Sequence, residues 1–398
     1  LPSHNKKKKI KSITLIILIL SFFLFIIITF LPKTSSWSQS EEIMKTGNEF
    51  VTPIMDKVIE TVTPKQKLDV EEYNRRVLAL AHKSIEQETI KKTETPSDVN
   101  IIRNELSISL DAAENATSNT DSSYENSPWP PEAPLPLYGA ILPFKRIVAY
   151  YGNLYSKQMG ALGEYPEDIM LGMLDDEVKN WEEADPTTPV QPALHYIAST
   201  AQSSPGEEGL YTLRMPDSEI DKVIAMAEKS NSIVFLDLQI GLSSIQKELP
   251  YIEKYLKMPQ VHLGLDPEFS MKGGEKPGSV IGTMDANDIN YAANYLSNLV
   301  RENNLPPKIL IIHRFTNKMV TNYQDIKPLP EVQIVIEMDG WGPKALKINT
   351  YNQTIYPEPV QFAGIKIFYK NDIKGGGDIM SPQEVLDLNP KPIYIQYQ

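Results

Sequence analysis

Five carboxylates could carry chemistry in this sequence: Asp237, Asp266, Glu268, Glu337 and Asp339. Each closes, or directly follows, a short β-branched apolar run. An ionised group turned toward a packed helix layer needs a partner, because an unpaired buried charge is costly. The economical arrangement points all five into one shared mouth. Side chains alternate along a strand with a period of two. Ile233, Phe235, Asp237 and Gln239 therefore share one face, and His262, Gly264, Asp266 and Glu268 share another. The sharpest feature is Asp266-Pro267-Glu268. A carboxylic acid beside a second carboxylate keeps its proton to higher pH. A general acid needs that in order to protonate a leaving oxygen near neutrality. The spacing predicts Glu268 as the general acid and Asp266 as the neighbour that raises its pKa. Asp237 or Glu337 would stabilise an oxocarbenium-like transition state or activate water, as in glycoside hydrolysis.

Other residues at the run ends suit a sugar. Tyr150, Tyr151, Tyr196, Trp341, Phe368 and Tyr369 offer flat apolar rings, and His195, Gln239, His313, Asp339 and Lys366 offer hydrogen bonds. His195 and His313 could also join Asp237 and Asp266 around a metal. The five histidines are scattered, however, so hydrogen-bonding roles are expected, with no metal and no cofactor. There is no Gly-x-Ser-x-Gly elbow and no cysteine, which excludes that serine arrangement and all thiol chemistry.

The elements that must position these residues come from Arg146 onward. Eight runs read as strands: Arg146–Tyr151, Val190–Ala198, Ile233–Ile240, Val261–Asp266, Ile309–Phe315, Gln333–Met338, Gly364–Tyr369 and Ile393–Tyr397. Amphipathic segments lie between them, notably Glu167–Glu183, Asp217–Lys229, Leu249–Lys257 and Asp288–Asn303, with short helices at Pro343–Thr350 and Pro382–Leu388. Strand alternating with helix predicts a parallel sheet. Eight repeats over about 250 residues predict an α/β fold, the (β/α)8 TIM-type barrel, with its chemistry at the C-terminal ends of the strands. The rival, an open doubly wound sheet, lacks its Gly-x-Gly-x-x-Gly fingerprint after the first strand.

Upstream, Lys6-Lys7-Lys8-Lys9 precedes an uncharged apolar run from Ile13 to Leu31. As a helix, that run would span about 28 Å at ~1.5 Å per residue, enough to cross a bilayer core of ~30 Å. The lysines hold their side in the cytoplasm. The reading is a single-pass transmembrane anchor over residues 1–32, a partly helical, partly disordered stalk over 33–145, and a barrel over 146–398 outside the cytoplasm. Within the stalk, Ser40–Thr61 and Lys67–Lys92 could be helical; the second has an imperfect apolar stripe and is either a solvated spacer or a packing surface. The segment from Thr93 to Ser127 has little to bury, and a Pro-rich run from Pro128 to Pro136 leads into the barrel. The net charge of -12 disfavours nucleic acid, whose phosphates need clustered Lys and Arg.

Two resemblances add to this. The Gly264-to-Glu268 spacing is similar to the end of the chitinase-type glycosidase motif, in which the final Glu is the acid and the preceding Asp orients it. Gly264 stands where that family has another Asp, and Pro267 falls inside the motif. Over the whole barrel the chain resembles a family of secreted or envelope-anchored bacterial (β/α)8-barrel proteins. Tyr150-Tyr151-Gly152, Leu162-Gly163-Glu164, Ala201-Gln202-Ser203-Ser204-Pro205-Gly206, Gly264-Leu265-Asp266-Pro267-Glu268-Phe269, His313-Arg314-Phe315, Asp339-Gly340-Trp341-Gly342 and Lys366-Ile367-Phe368-Tyr369 carry that resemblance. It implies the fold and the location and supplies no activity. The expectation is a membrane-anchored, extracytoplasmic, glycosidase-like hydrolase of cell-envelope or extracellular polysaccharide. The alternative is a non-catalytic barrel that binds glycan or protein, expected if Lys366 and Arg314 tie up the carboxylates.

Overall fold

The structure is a computed structural model that describes residues 67–84, 127–206 and 208–398. Eight parallel strands form a closed barrel: β1 (Arg146–Gly152), β2 (Val190–Ala201), β3 (Ile233–Leu238), β4 (Val261–Leu265), β5 (Lys308–Arg314), β6 (Val332–Met338), β7 (Phe362–Ile367) and β8 (Tyr394–Tyr397). Each strand pairs with the next in the chain, and β1 closes the ring against both β2 and β8. The strands are buried on both faces, which is why they read as near-continuous apolar runs rather than clean alternations.

The outer layer is α2 (Glu167–Ala184), α3 (Asp217–Lys229), α4 (Ile245–Leu256), α5 (Ala286–Asn303), α6 (Lys344–Thr354) and α7 (Pro382–Leu386), following α1 (Val70–Leu80) upstream. Their starts are legible as caps. Asp285 and Asp288 form a reciprocal capping box on α5, and Ser381 and Glu384 form one on α7. The main core lies between the outward strand faces and these helices, with Trp181, Leu249, Leu296 and Tyr351 among its fully buried members.

A second core fills the N-terminal half of the barrel interior with Ile147, Ala149, Ala193, Phe235, Ile309, Ile311 and Val335. Tyr73 of α1 and Leu142 belong to it. Gln333 fixes the segment before β1: its Oε1 accepts from the Ile141 and Leu142 N–H groups at 3.1 and 3.0 Å, and its Nε2 donates to the Leu142 carbonyl at 2.6 Å. Trp129 in the Pro-rich run is buried and donates to the Tyr356 carbonyl at 2.8 Å. The described parts of 33–145 are thus part of one compact unit with the barrel, running from Lys67 to Gln398. In this part of the expected stalk, the apolar stripe of α1 is a packing surface, because Tyr73 and Leu78 lose their solvent to the barrel. Ser40–Thr61 and 93–126 lie outside the described residues. So does the Ile13–Leu31 run; among the described residues, no helix is long and apolar enough to cross a membrane.

Candidate active site

A cavity of about 530 Å³ opens at the C-terminal ends of the barrel strands. Strand parity puts Tyr151, Gln239, Asp266, Asp339 and Lys366 in its wall, and Glu268, Trp341 and Phe368 join them from the loops that follow. A second cavity of about 400 Å³ lies at the opposite end, among Arg75, Arg76, Arg146 and Asp185. Its Arg146 is held by Asp185 at 2.9 Å, and none of the five candidate carboxylates reaches it.

The loop after β4 does not continue the strand. Asp266 caps a single 3-10 turn, Pro267–Phe269, and its Oδ1 accepts from the Glu268 N–H at 3.1 Å. Its Oδ2 accepts from Gln239 Nε2 at 3.2 Å. Both Asp266 oxygens are therefore engaged in holding backbone and neighbour. Glu268 is half-buried at the cavity wall, with no lysine or arginine within salt-bridge distance among the described residues. Burial raises its carboxyl above the ordinary value, and the charge of Asp339 adds to that, against Lys366 and His313. The expected coupling of the two carboxylates is present on the Asp266 side, where the charge of Glu268 adds to the rise, while burial and Asp339 raise Glu268. Burial holds Asp266 itself well above the usual carboxylate range; His313 opposes, while Asp237, Asp339 and Glu268 add to the rise.

Two of the four expected catalytic groups lie beneath the cavity floor. Asp237 and Glu337 are fully buried, and neither lines the cavity. Asp237 Oδ2 accepts from Tyr151 Oη at 3.0 Å. Its Oδ1 stands 3.4 Å from His195 Nε2 and 3.4 Å from His313 Nε2. Glu337 Oε2 lies 2.8 Å from His313 Nδ1, with Asp339 Oδ2 at 3.4 Å from the same nitrogen. His195 Nδ1 lies 2.6 Å from Tyr394 Oη and 3.0 Å from Gln396 Nε2. Burial pushes the Asp237 carboxyl up, but the charge of His313 and the contacts of both imidazoles outweigh it and hold it well below the usual range. Burial pushes His195 down to about 4, whereas Asp237 and Glu337 overcome burial at His313 and raise it well above its usual value. Burial raises Glu337, with His313 opposing. The one donor set among the described residues that could hold a metal is His195, Asp237 and His313, whose ligand atoms all lie within 4.8 Å of one another. Asp266, the fourth member expected, is not part of it.

The aromatic expectations divide by strand face. Tyr151 faces the interior, and Lys366 Nζ sits 3.5 Å above its ring centroid. Tyr150 and Tyr196 face the other way, into the core between strands and helices. Tyr150 Oη bonds to Tyr369 Oη at 2.9 Å, and Tyr369 Oη donates to Glu177 of α2 at 2.7 Å. These three tyrosines do not line the cavity and are removed from the substrate-contacting set. Trp341 stays, 56% exposed at the rim.

Sequence reasoning missed Phe269 and Phe315, which line the cavity, and Tyr394, the partner of His195. Tyr394 sits two residues before Gln396 on β8, so strand parity carried the signal. Asp372 was also missed. It accepts from the Gly342 and Phe368 N–H groups, each at 2.9 Å, and lies 3.2 Å from Lys347 Nζ. Lys347 in turn donates to the Gly340 and Lys366 carbonyls at 2.9 and 2.6 Å. This buried pair fixes the two loops that carry Asp339, Trp341 and Phe368. Arg314 is turned away from the mouth, bonded to Glu358 and to the Thr316 and Asn317 carbonyls. Neither Arg314 nor Lys366 forms a salt bridge with a mouth carboxylate.

No protein-family model matches the chain, and no curated protein matches it. Among solved structures the chain is similar to the clostridial cellulose synthase subunit Z of Clostridioides difficile, at 10% identity over 64% of this chain and 92% of that one, with a TM-score of 0.33. It is similar to GH26C from Muricauda sp. MAR_2010_75 at 9% identity over 63% and 70%, with a TM-score of 0.27. It is also similar to the HPPK-DHPS of Plasmodium falciparum at 11% identity over 64% and 44%, with a TM-score of 0.29. Likenesses at these scores carry no argument about function, and the barrel stands on its own strand pairing.

Proposed function

We propose that the barrel hydrolyses glycosidic bonds of a cell-envelope or extracellular polysaccharide. The observation that carries this reading is a roomy cavity whose wall holds three carboxylates, Asp266, Glu268 and Asp339, none paired with lysine or arginine among the described residues. Glu268 is the acid. It gives its proton to the leaving oxygen as the bond from that oxygen to the sugar carbon breaks. Water adds to the sugar carbon, and its proton goes to Asp339. Asp339 takes over the part first assigned to Asp237 or Glu337, which do not line the cavity. Trp341 and Phe368 supply ring faces for the sugar, and Lys366 and Gln239 supply donors. Glu268→Gln keeps size and hydrogen bonding but has no proton to give. It should cost about 10²–10⁴-fold in turnover while glycan binding and the melting temperature change little. Binding without turnover in the wild type would support the non-catalytic reading instead.

The anchor remains part of the proposal, resting on the Lys6–Lys9 cluster and the Ile13–Leu31 run. Protease added to intact cells should release the barrel and leave a small membrane-bound stub. Full protection in intact cells, with cleavage only after lysis, would contradict an extracytoplasmic barrel.

A further inference from the structure

We propose that His195, Asp237 and His313 bind a divalent transition-metal ion of the zinc type beneath the cavity floor. The three side chains come from β2, β3 and β5 and are completely buried. Their facing atoms, His195 Nε2, Asp237 Oδ1 and His313 Nε2, have no hydrogen-bond partner among the described residues. Three convergent polar atoms in a solvent-free interior without partners call for a ligand that satisfies all three at once.

The spacing identifies that ligand. Both imidazole nitrogens stand 3.4 Å from the same carboxylate oxygen. A shared proton fits poorly, because N–H···O bonds run about 2.7–3.2 Å. A tetrahedral ion with ligands about 2.0–2.1 Å away sets those ligands about 3.3–3.4 Å apart. Right-angle, octahedral ligands at the same bond lengths would stand about 2.9 Å apart. The two imidazole–carboxylate edges match the tetrahedral case.

The outer partners fit as well. A metal-bound imidazole usually gives its other nitrogen to a carboxylate or another oxygen, which fixes ring orientation. Here His313 Nδ1 lies 2.8 Å from Glu337 Oε2, in ion-pair contact but not aligned as a hydrogen bond, and His195 Nδ1 lies 2.6 Å from Tyr394 Oη and 3.0 Å from Gln396 Nε2. The second oxygen of Asp237 is held by Tyr151 Oη at 3.0 Å. The neighbouring strand leaves room too. A Cβ on Gly264 would fall 2.5 Å from both Asp237 Oδ1 and His195 Nε2, inside the space an ion would share. Glycine at that position keeps a side chain out of it. Three protein ligands leave one tetrahedral position for water or a bound group. Tyr151 bonds to Asp237 and also lines the cavity, so the ion would lie one side chain below the substrate space. Glu337 is then a positioning residue for His313. None of this depends on the hydrolytic reading.

The test uses the full-length protein and reads metal, not activity. Protein stripped with a chelator is titrated with zinc against a chromophoric competitor, and with cobalt(II) followed by its visible spectrum. The account predicts a single tight equivalent of zinc, tetrahedral cobalt bands and a raised melting temperature on loading. Gly264→Ala and the His195→Asn/His313→Asn double variant should lose that equivalent. Glu337→Gln should weaken it by about 10–100-fold. If Gly264→Ala or the double variant fails to fold, the wild-type titration and Glu337→Gln decide. A stripped wild type that melts cooperatively yet takes up neither zinc nor cobalt would overturn the site, as would unchanged uptake in a folded double variant.

Discussion

The two halves of the barrel interior are lined by the same eight strands and are finished in opposite ways. Toward the N-terminal ends, Ile147, Phe235, Ile309, Ile311 and Val335 close on one another and on Tyr73 of α1. The polar groups admitted there have work within the fold. Gln333 binds the chain before β1, and His262 Nδ1 accepts from the Ile309 N–H at 3.0 Å, leaving its Nε2 as the unpartnered atom of this half among the described residues. Toward the C-terminal ends, the positions next along the strands are His195, Asp237, His313, Glu337 and Gln396. His195 Nε2, Asp237 Oδ1, His313 Nε2, Glu337 Oε1, Asp339 Oδ1 and Gln396 Oε1 are buried without hydrogen-bond partners among the described residues. A buried polar atom left unsatisfied costs about 1–3 kcal/mol. The lower half is built for stability, and the upper half carries groups that stability alone would not select.

That comparison can be broken in several places. The largest effect on stability is expected where the upper half has its own scaffold, the Lys347–Asp372 pair. Asp372→Ala leaves the buried Lys347 without its carboxylate and frees the Gly342 and Phe368 N–H groups. Breaking such a pair from one side costs about 3–5 kcal/mol; denaturant unfolding should show it, with turnover falling as the Asp339 and Phe368 loops loosen. In the lower half, Tyr73→Ala removes a ring that is 5% exposed and packs on Phe144. It should cost about 3 kcal/mol in the same unfolding experiment and leave turnover per folded molecule unchanged. An equal loss of turnover would mean that the two halves are coupled more tightly than this division allows.

The smallest effect sharpens the electrostatic part. Asp339 raises the pKa of Glu268 through its negative charge, second to burial. A general acid works only while protonated, so turnover falls as pH rises through the Glu268 pKa. Asp339→Asn removes the negative neighbour and lowers that pKa. The alkaline limb of the pH–rate profile should therefore move to lower pH, on top of the rate lost with Asp339 itself. An alkaline limb that stays in place would separate Glu268 from Asp339.

The fold was legible because its signal is repetition. All eight apolar runs became the eight barrel strands, with ends displaced by only a few residues, as for β2, which continues to Ala201. The interior face of β3 was legible too, since Ile233, Phe235 and Asp237 are buried on one parity. Tyr150 and Tyr196 were not, because strands buried on both faces show no alternation, and neighbouring Tyr150 and Tyr151 point to opposite layers. Asp266 and Glu268 reach the same cavity as expected, but by a different route, because Pro267 begins a 3-10 turn that ends the strand parity. The meeting of His195, Asp237 and His313 was invisible in the sequence as a set, since only closure of the barrel brings β2, β3 and β5 around one point.

The most direct measurement for the hydrolytic claim is release of new reducing ends from purified cell-wall, capsular and exopolysaccharide preparations by the full-length protein, with Glu268→Gln run beside it. The account predicts release from at least one glycan by the wild type, its loss in a Glu268→Gln protein that melts at the wild-type temperature, and binding of that glycan by both. No release from any glycan, or equal release by both proteins, would contradict it.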